Sequence, residues 1–310
     1  MRHLITLQDW SADEIDGILL RARDIKTQPE RFAEALKQKT LFMFFEKPSL
    51  RTRVSFETGM TQMGGHAIAY DGSRSPLGAG KETPSDTVRT VSRYVDIIIA
   101  RLFEHSAVIE MAEHATVPVI NALTNFSHPC QVLADFSTIL EKKGGLEGKT
   151  LAFLGDGNNN MTHSLLYGCS RKGINIRVGC PEGADFSPLE SVVEEARKSG
   201  EASGAEVVVT HDAKAAADGA DVIYTDSWMS YHIPEHQLGE RVEKFTPFQV
   251  NDELMDCAAP DAIFMNCLPA LRGYEQTAEV IDGPQSVVWD QAENRLHVQK
   301  SIMLELLGVR

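Results

Sequence analysis

Ser49, Arg51, Thr52 and Arg53 follow the apolar run Leu41–Phe45 almost directly, with Glu46-Lys47-Pro48 between the run and Ser49, and they open a stretch with helical character. A strand that gives way to Ser, Arg, Thr and Arg at a helix start is suited to hold a phosphate. The first turn of a helix carries backbone N–H groups without intrahelical partners and a partial positive charge, and hydroxyl and guanidinium groups complete the shell of an oxyanion. An ordinary solvated, N-capped helix has the same residue types, so this segment alone leaves both readings open.

Other groups could do chemistry with such an anion. His128 and Gln131, three apart at a helix start after Pro129, point the same way and can each donate to one carbonyl oxygen; a cap or a satisfied core histidine is the bland alternative. Arg101 ends another apolar run and could equally pair with a structural carboxylate. Gly155-Asp156-Gly157 lacks the third glycine of a dinucleotide fingerprint, because Asn160 stands there, so no nicotinamide site is expected. Asn158, Asn159 and Asn160 offer amides that suit an amino acid's carboxylate and ammonium, or else hold a tight turn. Asp226 can accept from an amine or close an Asx-turn. Cys267 has neither a base nor a helix start beside it to make a thiolate, and reads as a wall residue.

The elements that must position these groups are legible as apolar, β-branched runs: Leu41–Phe45, Ala67–Ala69, Ile97–Ala100, Val117–Ile120, Thr150–Leu154, Asn175–Gly179, Glu206–Thr210, Val222–Tyr224, Ile263–Met265 and Val287–Trp289. Helix-length segments separate them, which predicts an α/β chain with two doubly wound parallel-sheet domains of similar size, joined by helices, with the site in the cleft between them. Lys142–Lys149, rich in Gly and charge, marks the approach to the second domain. Ala292 to Leu307 has apolar residues at helical spacing and is expected to pack back on the first. In such sheets ligands sit beyond the carboxyl ends of strands, and Arg101, Asn121, Gly155-Asp156, Asp226 and Asn266-Cys267 all follow apolar runs.

The chain has 310 residues and 43% hydrophobic content, enough for two cores. A formal net charge of −14 argues against nucleic acid and anionic membranes as partners but allows a small anion held by a local basic cluster such as Lys47, Arg51 and Arg53. The five cysteines have no CxxC spacing, so neither a metal knuckle nor a disulfide framework is expected. Met1–Thr6 has neither a long apolar run nor an Arg-rich, acid-poor character, and the expected location is cytoplasmic.

Taken in order, Ser49-Leu50-Arg51-Thr52-Arg53, His128-Pro129-Cys130-Gln131, Gly155–Met161, Thr225-Asp226-Ser227-Trp228, Cys267-Leu268-Pro269 and Glu293-Asn294-Arg295 resemble the aspartate/ornithine carbamoyltransferase family, most closely its ornithine branch, over essentially the full length. The resemblance implies a carbamoyl phosphate-binding domain over 1–140, completed by helix 292–310, and an amino-acid (ornithine)-binding domain over 141–291. Ser49, Leu50 through its backbone, Arg51 and Thr52 would hold the phosphate. Arg101, His128, Gln131, Leu268 and Arg295 would hold the carbamoyl end, and Asn159, Asn160, Asp226, Ser230, Tyr231 and Cys267 the amino acid. Arg101, His128, Asp226 and Cys267 are the implied catalytic groups. The family forms homotrimers, or multiples of trimers, in which a neighbouring loop reaches the phosphate; Leu77–Thr83 resembles that loop and makes Lys81 a contributor in trans.

The implied reaction transfers the carbamoyl group of carbamoyl phosphate to the side-chain amine of L-ornithine, giving L-citrulline and phosphate, and requires no metal or organic cofactor. Leu50 stands where the family's phosphate loop usually has Thr, a change compatible with the use of its N–H alone, and two places depart from the ornithine pattern: Ser230-Tyr231-His232 where Ser-Met-Gly is usual, and Asn266 where His usually precedes Cys-Leu-Pro. They leave open another amine, such as putrescine, lysine or an N-acylated ornithine. A nicotinamide-dependent oxidoreductase and a catalytically silent metabolite sensor are the rivals from other classes.

Overall fold

The structure is a computed structural model that describes residues 1–72, 80–229 and 233–309. It divides into two compact units, Met1–Ser137 with Glu293–Arg310, and Thr138–Ala292.

In the first unit α1 (Ala12–Thr27), β1 (Thr40–Phe45), α2 (Leu50–Gln62), β2 (His66–Asp71), α3 (Pro84–Val91), β3 (Ile97–Arg101), α4 (His105–His114) and β4 (Val119–Leu123) alternate, and α5 (Pro129–Lys143) leads out of it. The four strands pair in parallel in the order β2-β1-β3-β4. Every residue of β3 and β4 is buried, as continuous apolar runs require when helices cover both faces of a sheet. Val88 of α3 and Val108 and Met111 of α4 pack with Phe44, Ile98 and Ala100 in one core cluster. From β1 the chain builds first to one side and then to the other, so its direction reverses between β1 and β3. The carboxyl ends at such a reversal form a ligand crevice, and here Phe45 pairs with Arg101.

The second unit contains β5 (Thr150–Leu154), α6 (Asn160–Arg171), β6 (Asn175–Gly179), α7 (Glu190–Ser203), β7 (Val207–Thr210), α8 (Ala213–Ala217), β8 (Val222–Thr225), α9 (Leu238–Phe245), α10 (Asp252–Cys257), β9 (Ile263–Asn266) and α11 (Ala278–Ile281); α12 (Val288–Leu306) begins here and returns the chain to the first unit. Its five strands are also parallel, ordered β7-β6-β5-β8-β9. The reversal falls between β5 and β8, whose ends carry Gly155-Asp156 and Asp226. Ala152, Leu154, Ile223 and Phe264 form its core with Ala216, Ala217 and Val250.

The expected α/β class with two parallel sheets is what the chain forms. Three local expectations are corrected. Val287–Trp289 is no strand: Phe264 N–H donates to the Gln285 carbonyl at 2.8 Å and Val287 N–H to the Phe264 carbonyl at 3.0 Å, and then the Val287 carbonyl accepts from Gln291 N–H, the first turn of α12. The last helix therefore starts at Val288, not Ala292. Asn121 lies inside β4, buried, with its amide donating to the Ile5 carbonyl at 2.9 Å and its oxygen accepting from Leu123 N–H at 3.0 Å, so it is a structural residue.

Candidate active site

In the first unit Ser49 caps α2, its hydroxyl accepting from Thr52 N–H at 3.3 Å. No acidic residue occupies the first turn of this helix, which keeps its positive end uncompensated. The Leu50 side chain is 74% exposed, so its substitution for a hydroxyl residue leaves the backbone N–H of this turn unchanged. Thr52 is buried and Arg51 half-buried, whereas Arg53 turns outward into a surface pair with Glu57 at 3.0 Å. Of the basic cluster Lys47, Arg51 and Arg53, the third member is therefore spent elsewhere.

Lys47 goes the other way. It is 2% exposed, its Nζ donates to Asn125 Oδ1, and it lies 4.3 Å over the Phe103 ring. Burial, and then the Arg101 charge, pull its pKa down to about 8. In the sequence Lys47 is one member of a basic cluster, and its place after β1, at the point where the sheet reverses, is the signal for its burial.

Arg295 of α12 is buried and donates from Nη1 to Gln131 Oε1 at 2.6 Å and from Nη2 to Thr52 Oγ1 at 3.3 Å. Gln131 Nε2 in turn donates to Asp135 Oδ1 at 2.8 Å. Gln131 was expected to face a substrate carbonyl with its amide; in the structure that amide also links Arg295 to Asp135. Burial and the charges of Arg295, Arg101 and Lys47 hold the buried His128 imidazole well below the usual histidine range, so it is neutral at pH 7 and offers one ring N–H. Cys130, between them, donates to the Asn121 carbonyl at 3.5 Å, and burial pushes its thiol up to about 12, so it is inert. The first unit thus gathers three buried cations, Lys47, Arg101 and Arg295, with a neutral imidazole and a capped helix N-terminus, in a chain whose net charge is −14. That combination favours a small, strongly charged anion joined to a polarisable carbonyl.

In the second unit Gly155 has φ +129°, and a side chain at Gly157 would come within 2.6 Å of the Phe186 carbonyl. Both glycines are thus required by the turn itself. Asp156 is buried there, accepting from Asn158 N–H at 3.0 Å and paired with Arg241. Burial lifts its carboxyl to about 6 despite Arg241. Asn159 caps α6, accepting from Thr162 N–H at 2.8 Å, while its buried Nδ2 has no hydrogen-bond partner among the described residues. Asn160 follows, half-buried, as the first residue of α6.

Asp226 and Cys267, both half-buried, lie just beyond β8 and β9, and the thiol donates to Asp226 Oδ1 at 3.1 Å. Leu268 adopts φ +58° and donates its N–H to Asn266 Oδ1 at 2.8 Å. Asn266 is buried, its Nδ2 donating to Gln276 Oε1 at 3.1 Å. Its side chain is thus committed to the turn that carries Cys267 and Leu268. Ser230 and Tyr231, with His232, lie outside the described residues, as do residues 77–79 of the loop expected to act in trans; Lys81 is exposed. Among the described residues no cluster of His, Cys, Asp and Glu has the makings of a metal site.

Fold and site together define a parallel α/β protein whose first unit gathers buried cations and a capped helix start and whose second presents a carboxylate–thiol pair. Residues 2–141 match the carbamoyl-P binding domain of aspartate/ornithine carbamoyltransferase and residues 147–306 its Asp/Orn binding domain, so the chain belongs to the aspartate/ornithine carbamoyltransferase family. It is 51% identical to the ornithine carbamoyltransferase of Methanothermobacter thermautotrophicus over 308 residues, 99% of each chain. The solved ornithine carbamoyltransferase of Pyrococcus furiosus superposes with a TM-score of 0.94 at 48% identity, covering 99% of this chain and 97% of the other. An acetylornithine transcarbamylase complexed with acetylcitrulline also superposes, with a TM-score of 0.88 but only 31% identity, over 99% of each chain.

Proposed function

We propose that the protein transfers the carbamoyl group of carbamoyl phosphate to the δ-amine of L-ornithine, releasing L-citrulline and phosphate, a step of arginine metabolism. The observation that carries this reading is the convergence of Thr52, Gln131 and Arg295, with Arg101 and His128, within the first unit. The likeness of the whole chain to relatives that bear the name ornithine carbamoyltransferase supports the choice of amine, as does the inward commitment of Asn266, which removes one of the two departures from the ornithine pattern from contact with the amine.

The N–H groups at the start of α2, with Ser49, Arg51 and Thr52, take the phosphate. Arg101, His128 and Arg295, the last held through Gln131, face the carbamoyl end. The Asn159–Asn160 amides take the α-amino acid end of ornithine, with Ser230 and Tyr231 completing that subsite, and Asp226, Cys267 and the Leu268 carbonyl orient the δ-amine. Lys81 serves a neighbouring subunit of a homotrimer.

The neutral amine attacks the carbamoyl carbon, a C–N bond forms, a tetrahedral oxyanion develops, and the C–O bond to phosphate breaks as phosphate takes the amine proton. An aliphatic amine with a pKa near 10.4 is neutralised at pH 7 at a cost of about 4–5 kcal/mol, from roughly 1.36 kcal/mol per unit. Fixed donors aimed at the oxyanion are the larger counterweight. A neutral His128 suits this role, since it donates a hydrogen bond without adding a fourth buried positive charge. Carbamoylation of a panel of amines, scoring citrulline against other ureido products, tests the reading.

A further inference from the structure

The peptide of Trp228, two residues beyond Asp226, is gripped on both sides by buried charged side chains. Its N–H donates to Glu275 Oε1 at 3.2 Å and its carbonyl accepts from Arg241 Nε at 2.6 Å. The other oxygen of Glu275 accepts from Leu271 N–H at 3.0 Å. One carboxylate therefore spans the two turns that carry the amine-facing groups, Asp226-Ser227-Trp228 after β8 and Cys267–Leu271 after β9.

Glu275 is 2% exposed, and burial pushes its carboxyl above the usual range, opposed by its backbone donors and reinforced by the nearby charge of Asp226. Keeping a carboxylate there is costly, and among the described residues the backbone donors offset the cost. A neutral glutamine could not substitute, because its NH₂ would meet one of the two N–H groups donor to donor. The mechanism above leaves this group without a task.

We infer that Glu275 is a positioning residue for the amine end of the site: by tying Trp228 to Leu271 it sets the approach of the Cys267 thiol to the Asp226 carboxylate. The inference rests on the reading that the second unit receives ornithine. It places Glu275 out of contact with the reacting atoms, acting through Asp226 and Cys267.

The test is steady-state kinetics of the full-length protein and of Glu275→Gln and Glu275→Ala, each substrate varied in turn, with thermal unfolding alongside. The expected result is a KM for ornithine raised at least tenfold in Glu275→Gln and further in Glu275→Ala, with the KM for carbamoyl phosphate within twofold of the parent. Should either variant fail to accumulate, Glu275→Asp, which keeps both acceptors but shortens their reach, is read by the same criterion. Equal losses toward both substrates, or an unmoved KM for ornithine, overturn the inference while leaving the proposed reaction standing. A parent protein that does not carbamoylate ornithine overturns the reaction and the inference with it.

Discussion

Arg295 Nη2 donates to Thr52 Oγ1 at 3.3 Å across 243 positions of sequence, while Nη1 of the same guanidinium reaches Gln131 Oε1 at 2.6 Å. A planar fork that satisfies two elements at once ties the start of α2 to the start of α5 and fixes where positive charge is presented. Replacing Arg295 by Ala is expected to lower kcat/KM for carbamoyl phosphate by roughly 10²–10³-fold, the scale of losing one preorganised donor. Arg51→Ala should act in the same direction, through phosphate binding and transition-state stabilisation together. Kinetics with carbamoyl phosphate varied at saturating ornithine decide it, and values within threefold of the parent would remove both residues from the site.

Lys47 is expected to give the reaction a basic limb. Its pKa of about 8 means that it is charged at neutral pH and loses the charge as pH rises through that value. Affinity for a phosphate dianion should therefore fall above about pH 8, whereas the neutral fraction of ornithine's amine still rises there. Profiles of kcat/KM should slope in opposite senses for the two substrates between pH 8 and 9.5, and Lys47→Met should abolish the falling limb for carbamoyl phosphate. A parent profile for carbamoyl phosphate that is flat to pH 9.5 speaks against Lys47.

Asn266 replaces a residue that the family pattern puts beside Cys-Leu-Pro, yet its oxygen holds the N–H of Leu268, whose φ of +58° is unfavourable for a branched side chain, and its amide is given to Gln276. Asn266→Ala should destabilise the protein by about 1–3 kcal/mol, the cost of buried groups left unsatisfied. The rank order of amine substrates should not change. Chemical denaturation and the amine panel check the two halves separately, and a changed preference would show that Asn266 reads the substrate.

Much of the fold was legible because buried parallel strands are written as continuous apolar runs, and β5 and β6 coincide with the runs Thr150–Leu154 and Asn175–Gly179. Val287–Trp289 was misread because three apolar residues suit a strand or the first turn of a helix equally well, and only the hydrogen bonds around Phe264 decide. The meeting of Thr52, Gln131 and Arg295 followed from family resemblance alone, since nothing local in the last helix points to a residue 243 positions earlier. Asp156, Arg241 and Glu275 were not singled out as a frame. A charged residue reads as surface until its partners are known, and here the partners are backbone groups 13 and 47 positions away.

Ornithine is the amine that the second unit is proposed to take. Purified protein given carbamoyl phosphate with ornithine, putrescine, lysine or N-acetylornithine should form citrulline with a kcat/KM at least 100-fold above that for any other ureido product. A larger value with any of the other three amines, or no citrulline at all, contradicts it.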